Sequence, residues 1–198
     1  IFGLGIQCVM ERQSEQQVIM AMFLAWKCDL LLSNEKQNKS FWLAVLAVQK
    51  FAAMVAEGYL DEYELMFWEG KPACELGFKV TLPDGFSYRG FVDIVLRNKV
   101  TDALMILEVK TTSANYVNAA TYKNSGQAIG YSIVLDVVAP DASSYDVTYL
   151  VYFTKLEKFE TMTFPKSYTQ RAQWIQEVLL DAEIIRLEMT FTQGEMLS

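Results

Sequence analysis

The chain has 198 residues, 52% of them hydrophobic and 21% charged, which is enough for one domain with a full core and too apolar for a disordered chain. Its net charge of −7, from 17 basic and 24 acidic residues, argues against a broad polyanion-coating surface and still allows a local basic channel. The chain contains no histidine, which removes Ser-His-Asp and Cys-His catalysis and His-ligated zinc in one step.

In chain order, Gly3 to about Ser33 reads as one long helical stretch. Within it the apolar run Val18 to Trp26 is too short to span a bilayer, and Lys27 and Asp29 follow. There is no basic lead-in or cleavage pattern, so a cytosolic location with no membrane partner is expected. The chain opens at Ile1 rather than Met, which suggests a trimmed or partial chain. Asn34 to Asn38 reads as a loop. Ser40 is an N-cap for a helix from Phe41 to Gly58. Val45, Val48, Ala52 and Val55 form its core stripe, widened by Leu46 and Phe51. Asp61 to Pro72 is acidic, aromatic and expected to be irregular.

The middle of the chain turns to strands. Glu75 to Leu82 reads as one, Pro83-Asp84-Gly85 as a tight turn, and Phe86 to Leu96 as the return strand of a hairpin. Ala103 to Lys110 is a third, joined by a polar link holding Asn98 and Asp102. Thr111 to Lys123 is a loop or short helix, and Ser125 to Val138 a helix capped by Asn124 or Ser125. Tyr145 to Thr154 is a strand and Lys158 to Phe164 another. Tyr168 to about Met189 is a helix, with Trp174, Ile175, Val178, Leu179 and Ile185 on its apolar stripe. No repeat or interior linker divides the chain, so residues 1–198 are expected to form one domain. Cys8, Cys28 and Cys74 are far apart and odd in number. No disulfide framework or zinc motif follows, and buried reduced thiols are expected.

Several polar groups sit inside the apolar elements, where each is costly without a partner. Alternation puts Glu108 and Lys110 on one strand face and Val109 on the other. If the hairpin pairs in register, Asp93 lies beside Glu108. Two carboxylates close together in an apolar sheet repel each other and lose solvation, so one tends to stay protonated. A divalent cation resolves both problems. Mg²⁺ takes carboxylate and water oxygens at about 2.1 Å, so Asp93, Glu108 and waters are the expected ligands. Lys110 is placed to orient or deprotonate a water, or to neutralise a phosphate. Gln127 and Tyr131 share one helix face. Any one of these residues alone has an ordinary structural explanation; their order along the chain is what points to a site.

That ordered set is Gly90-x-x-Asp93, then Glu108-x-Lys110 with Thr111 and Thr112, then Gln127-x-x-x-Tyr131. It resembles the PD-(D/E)XK nuclease superfamily, in particular its RecB-like and phage exonuclease branch. The resemblance covers about Glu75 to Thr154, and the first helix loosely. It implies an α/β restriction-endonuclease-like core, a central mixed β-sheet flanked by α-helices. It also implies a Mg²⁺- or Mn²⁺-dependent DNA nuclease, an exonuclease of phage or bacterial recombination and repair, in the cytoplasm of a bacterial cell or phage-infected host. An endonuclease on the same fold and an inactive nucleic-acid-binding module are the alternatives. One or two ions are compatible, and a ring-forming homo-oligomer is known in the branch.

The same resemblance makes the Val109 backbone carbonyl a metal ligand beside Asp93 and Glu108. Gln127 and Tyr131 then position Lys110 and the DNA backbone. Relatives carry Gly-x-x-x-His on the first helix, whereas Gly3 is followed here by Gln7. Glu11, one turn on, is a candidate replacement or an ordinary solvated residue. Glu75 either joins the metal shell or flanks it. Three cysteines are too few for the four-cysteine iron–sulfur cluster of some RecB-like relatives, and no zinc is expected. Val92 stands where the superfamily's proline would precede Asp93. Tyr116, Tyr122 and Lys123 border the site as candidates for stacking and charge contacts with DNA.

Overall fold

Apolar runs between Tyr63 and Ser167 pair into a six-stranded mixed sheet with helices on both faces. The computed structural model describes residues 1–26, 40–81, 85 and 87–195, with side chains through 190. The helices are α1 (Phe2–Met10), α2 (Glu15–Ala25), α3 (Phe41–Ala56), α4 (Ala119–Lys123), α5 (Gly126–Leu135) and α6 (Tyr168–Glu195). The strands are β1 (Tyr63–Leu65), β2 (Phe67–Trp68), β3 (Lys71–Pro72), β4 (Cys74–Thr81), β5 (Ser87–Asn98), β6 (Leu104–Thr112), β7 (Ser144–Phe153) and β8 (Lys158–Ser167).

The sheet runs β1-β5-β6-β7-β8, with β4 also on β5. β6 and β7 are parallel from Met105–Asp146 to Thr112–Phe153, and the other pairs are antiparallel. β7 is buried without a break from Val147 to Phe153, as a strand covered on both faces must be. On one face, Ile6, Met22, Val45, Val48 and Phe51 of α1–α3 pack on Ile94, Leu107 and Leu150. On the other, Ala128, Tyr131 and Leu135 of α5 pack on Val95, Ile106, Val147 and Tyr149. β5 is long enough for one edge to serve two partners: β4 pairs with its first part, from Ser87 to Ile94, and β1 with Leu96 to Asn98.

The expected α/β architecture with its central mixed sheet is present, and several boundaries differ from expectation. The long N-terminal helix is two. Arg12 takes φ 59°, and Ser14 opens α2 with a capping box in which Ser14 and Gln17 satisfy each other's backbone donors. The stretch expected to be irregular, 61–72, forms β1, β2 and β3. Ser40 caps α3 as expected, and the helix stops at Ala56, with Gly58 at φ 102° closing the turn. Ser125, not Asn124, caps α5. α6 runs on to Glu195, and Ile185 on its expected core stripe is 48% exposed. Cys8 is buried and Cys74 only half-buried, both free. Cys28, the helical reading of 27–33, the loop at 34–38 and Leu82, Pro83, Asp84 and Phe86 lie outside the described residues. No helix among the described residues is long and apolar enough to cross a membrane.

A buried arginine ties the far end of the sheet to its helices. Arg171, at the start of α6, donates to both carboxylate oxygens of Asp136 and to the carbonyls of Lys166 and Ala142. Its guanidinium lies 4.5 Å from the Tyr145 ring centre. The planar fork suits this set of acceptors, and lysine would not replace it.

The helical layer is tight where α1 crosses its neighbours. A Cβ at Gly5 would press on Val48 and lie 2.8 Å from the Met22 sulfur. Gly5→Ala is therefore expected to lower stability by about 1–3 kcal/mol, as overpacking does. Urea denaturation checks this, and an unchanged midpoint would mean that α1 can shift aside freely.

Candidate active site

The sheet splits at Asp93. The β5–β6 ladder runs from Arg97–Leu104 to Ile94–Leu107 and stops there. β6 continues beside β7 through Glu108, Val109 and Lys110. Past the split, the Val109 N–H has no strand partner on the β5 side and donates to Asp93 Oδ2 at 2.8 Å. A buried backbone donor needs such an acceptor, so the carboxylate is held in the gap between the strands. Asp93 and Glu108 are the next residues in the register that Ile94 and Leu107 set, which places them beside each other as expected.

Glu108 is the buried member of the pair. Its side chain is 3% exposed; Oε1 accepts from Lys110 Nζ at 2.6 Å, and Oε2 is buried with no hydrogen-bond partner. Burial, then the Asp93 charge, push its pKa up, and Lys110 opposes them. Asp93 is raised by burial, with the Val109 N–H and Lys110 opposing. For Lys110, burial favours the neutral amine, but the Glu108 hydrogen bond and the Glu108 and Asp93 charges outweigh it. Its pKa ends above the ordinary lysine value, and Lys110 is an ammonium.

α5 closes the site from one side. Lys110 Nζ also reaches Gln127 Oε1 at 3.4 Å, and Gln127 Nε2 donates to the Tyr131 hydroxyl at 2.7 Å. Lys110, Gln127 and Tyr131 thus form one chain of contacts. Sequence reasoning passed over Tyr149, the β7 neighbour of Glu108 in register and 1% exposed. Its ring packs on Tyr122 at 4.6 Å, so Tyr122 is spent on packing, whereas Tyr116 is 79% exposed. The Lys123 carbonyl accepts from the buried Lys166. The alternating aromatics Tyr145, Tyr149 and Phe153 were the available signal for Tyr149.

The first helix contributes differently from the sequence expectation. Gln7 donates to Glu11 Oε1 at 2.8 Å and Gln13 to Oε2 at 3.0 Å, so both oxygens of Glu11 are engaged. The Glu11 charge acts on Cys8 and on Cys74, whose thiol is pushed to about 12 by burial first and then by Glu11 and Glu75. Glu75 is the carboxylate brought to the pair. It sits opposite Asp93, between the register pairs Cys74–Ile94 and Leu76–Val92. Burial and the Asp93 charge raise its pKa. Its φ of 49° is left-handed, a strain of about 1–3 kcal/mol for a non-glycine residue. From α1 it is Gly3 that approaches: a Cβ there would lie 3.7 Å from Glu75 Oε1.

The donor set suits a hard cation. It offers one unpartnered carboxylate oxygen on Glu108 and a second carboxylate on Asp93. Among the described residues, no group of three or more His, Cys, Asp and Glu side chains is arranged to hold a metal by itself. Carbonyl and water oxygens would have to complete the coordination.

No protein-family model and no curated protein matches the chain. A solved structure described as the crystal structure of SSO0001 is similar over 94% of this chain and 73% of its own, with a TM-score of 0.39 and 13% identity.

The raised carboxylates make stability depend on pH. An acid whose folded pKa exceeds its unfolded value takes up its proton more readily when folded, so it destabilises the fold as pH rises through the folded pKa. Asp93→Asn keeps an oxygen for the Val109 N–H and removes the charge. In EDTA the variant is expected to unfold at a higher denaturant midpoint than wild type at pH 8. The difference should shrink toward pH 4, and a difference independent of pH would remove Asp93 as its cause.

Proposed function

We propose that this chain is a Mg²⁺- or Mn²⁺-dependent DNA nuclease, an exonuclease of the recombination and repair type. The observation that supports this reading is the split ladder itself. Asp93 and Glu108 lie side by side there, with an unpartnered Glu108 oxygen and the Lys110 ammonium. An unpaired buried carboxylate oxygen carries a large desolvation cost, and a cation removes that cost.

Asp93, Glu108 and the Val109 carbonyl would hold the ion. Bound there, Mg²⁺ or Mn²⁺ would supply water activation and charge neutralisation at the phosphate. Lys110 brings a positive charge to the edge of the site and carries a proton on Nζ. In the substrate complex that ammonium neutralises a phosphate oxygen and orients the attacking water. Gln127 holds Lys110, and Tyr131 holds Gln127, so the chain of contacts fixes the direction of the ammonium. Glu75 adds negative potential from the β4 side. An endonuclease would use the same groups. A binding module without turnover is the second reading; Gln7 in place of the first-helix histidine and the net charge of −7 favour it.

The experiment is cleavage of end-labelled linear duplex and covalently closed circular DNA, in Mg²⁺, in Mn²⁺ and in EDTA. Metal-dependent loss of the linear DNA alone is the expected result. Lys110→Ala should fold and bind the ion and lose at least about 100-fold in rate, the lower end of what acid–base and electrostatic groups contribute. Cleavage of the circle would make it an endonuclease, and no cleavage of either DNA would leave the binding module. Independently, Mg²⁺ should raise the unfolding midpoint of wild type and not of Asp93→Asn, because a ligand stabilises only the state that binds it.

A further inference from the structure

The β4–β5 hairpin projects one fixed face and one open face. On the fixed face, Phe78 packs on Tyr131 at 5.7 Å and Tyr88 on Trp174 at 5.0 Å, so the arm is anchored to α5 and α6. The alternate residues are exposed: Gly77 and Lys79 on β4, Arg89 and Phe91 on β5. Lys79 and Arg89 are direct register partners. Like charges directly opposite each other across a ladder are destabilising. No ion pair joins either one to a carboxylate among the described residues. In a chain of net charge −7, such a pair is out of keeping with its surroundings.

Beside this pair lies Phe91, 61% exposed. It is the register partner of Gly77, and a Cβ at Gly77 would stand 3.0 Å from the Phe91 ring. The missing side chain is what seats the ring against the sheet and leaves its other face to solvent. The next positions inward are Glu75 and Asp93, where the alternation breaks: Leu76 and Val92 pack on the α5 side, and Cys74 and Ile94 on the α1–α3 side. The basic pair and the flat aromatic thus lead along β5 toward the split, about 13 Å from Arg89 to Asp93 at strand rise.

We infer that the open face of this hairpin is a track for single-stranded nucleic acid. Lys79 and Arg89 take backbone phosphates, and Phe91 stacks one unpaired base. Phosphate charge meets the unpaired cations, and an aromatic face accepts any base regardless of sequence. Bases inside a duplex have no free face to offer, so the strand that uses Phe91 is unpaired. This rests on the nuclease reading for what happens at Asp93 and Glu108, and not for the binding itself.

The test is fluorescence anisotropy with a labelled oligothymidylate and with a blunt duplex, in EDTA and across a salt series, so that no cleavage occurs. The Lys79→Ala/Arg89→Ala variant is expected to weaken single-strand binding at least 10-fold. Its salt slope should fall by about 1.4, at about 0.7 per phosphate contact. Phe91→Ala should weaken single-strand binding between about 5-fold and 150-fold, with little change for the duplex. Lys155→Ala, on the β7–β8 turn, serves as the unchanged control, and urea midpoints establish that each variant is folded.

Three results overturn the inference: wild type that does not bind the single strand, variants that bind it as wild type does, or Phe91→Ala weakening duplex and single strand alike. Cleavage is assayed separately. A wild type that degrades DNA while the arm variants bind and degrade equally well removes the track and leaves the nuclease. Binding through these residues without any cleavage does the reverse.

Discussion

One hydrogen bond sets the layout of this molecule: the Val109 N–H given to Asp93 instead of to a neighbouring strand. A sheet that stayed paired would bury both groups in an ordinary ladder and leave no room for a carboxylate pair. By parting at Ile94–Leu107, the strands open a gap lined by backbone and acid oxygens. β7 makes the opening tolerable, because β6 remains paired with it across the whole split. The gap is thus flanked by a rigid parallel pair on one side and by the β4–β5 arm on the other.

That arrangement concentrates unfavourable electrostatics in a small volume. Glu75, Asp93 and Glu108 all bind protons more readily than free carboxylates, each chiefly because burial removes water. Lys110 offsets part of this and is itself held by Gln127. Stability has to come from elsewhere. The two apolar faces of the sheet supply most of it, and the Arg171–Asp136 cluster fixes α6 against the far end of β7 and β8. The strain at Glu75 adds to the load at the split. Residues that weaken a fold and remain near one another are what a site built for a ligand requires.

Much of this was legible in the chain. Strand alternation placed Glu108 and Lys110 together, and the short apolar runs gave a mixed sheet with helices, because period and burial are local properties of sequence. Gln127 and Tyr131, four apart, do meet on α5. One failure was a missed local signal, and the others were non-local. The break at Arg12 depends on a left-handed residue followed by the Ser14–Gln17 box, a short signal inside an otherwise uniform helical stretch. β1 exists because β5 is long enough to offer a second length of edge, which composition around 61–72 does not reveal. Glu11 had the right spacing on α1, but Gln7 and Gln13 claim its oxygens. The choice of Glu75 over Glu11 depends on pairing across β4 and β5, which spacing along one helix cannot encode.

The shared edge of β5 has a mechanical consequence. β4 grips its outer length and β1 its inner length, and Asp93 sits next to the changeover. With Phe78 and Tyr88 anchored to α5 and α6, the arm and the carboxylate that bridges the gap are carried on one strand. By thermodynamic reciprocity, whatever occupies the gap changes the affinity of the arm by the factor that the arm's occupant changes the gap. An occupant of the arm and an occupant of the gap would be held by the same strand, β5.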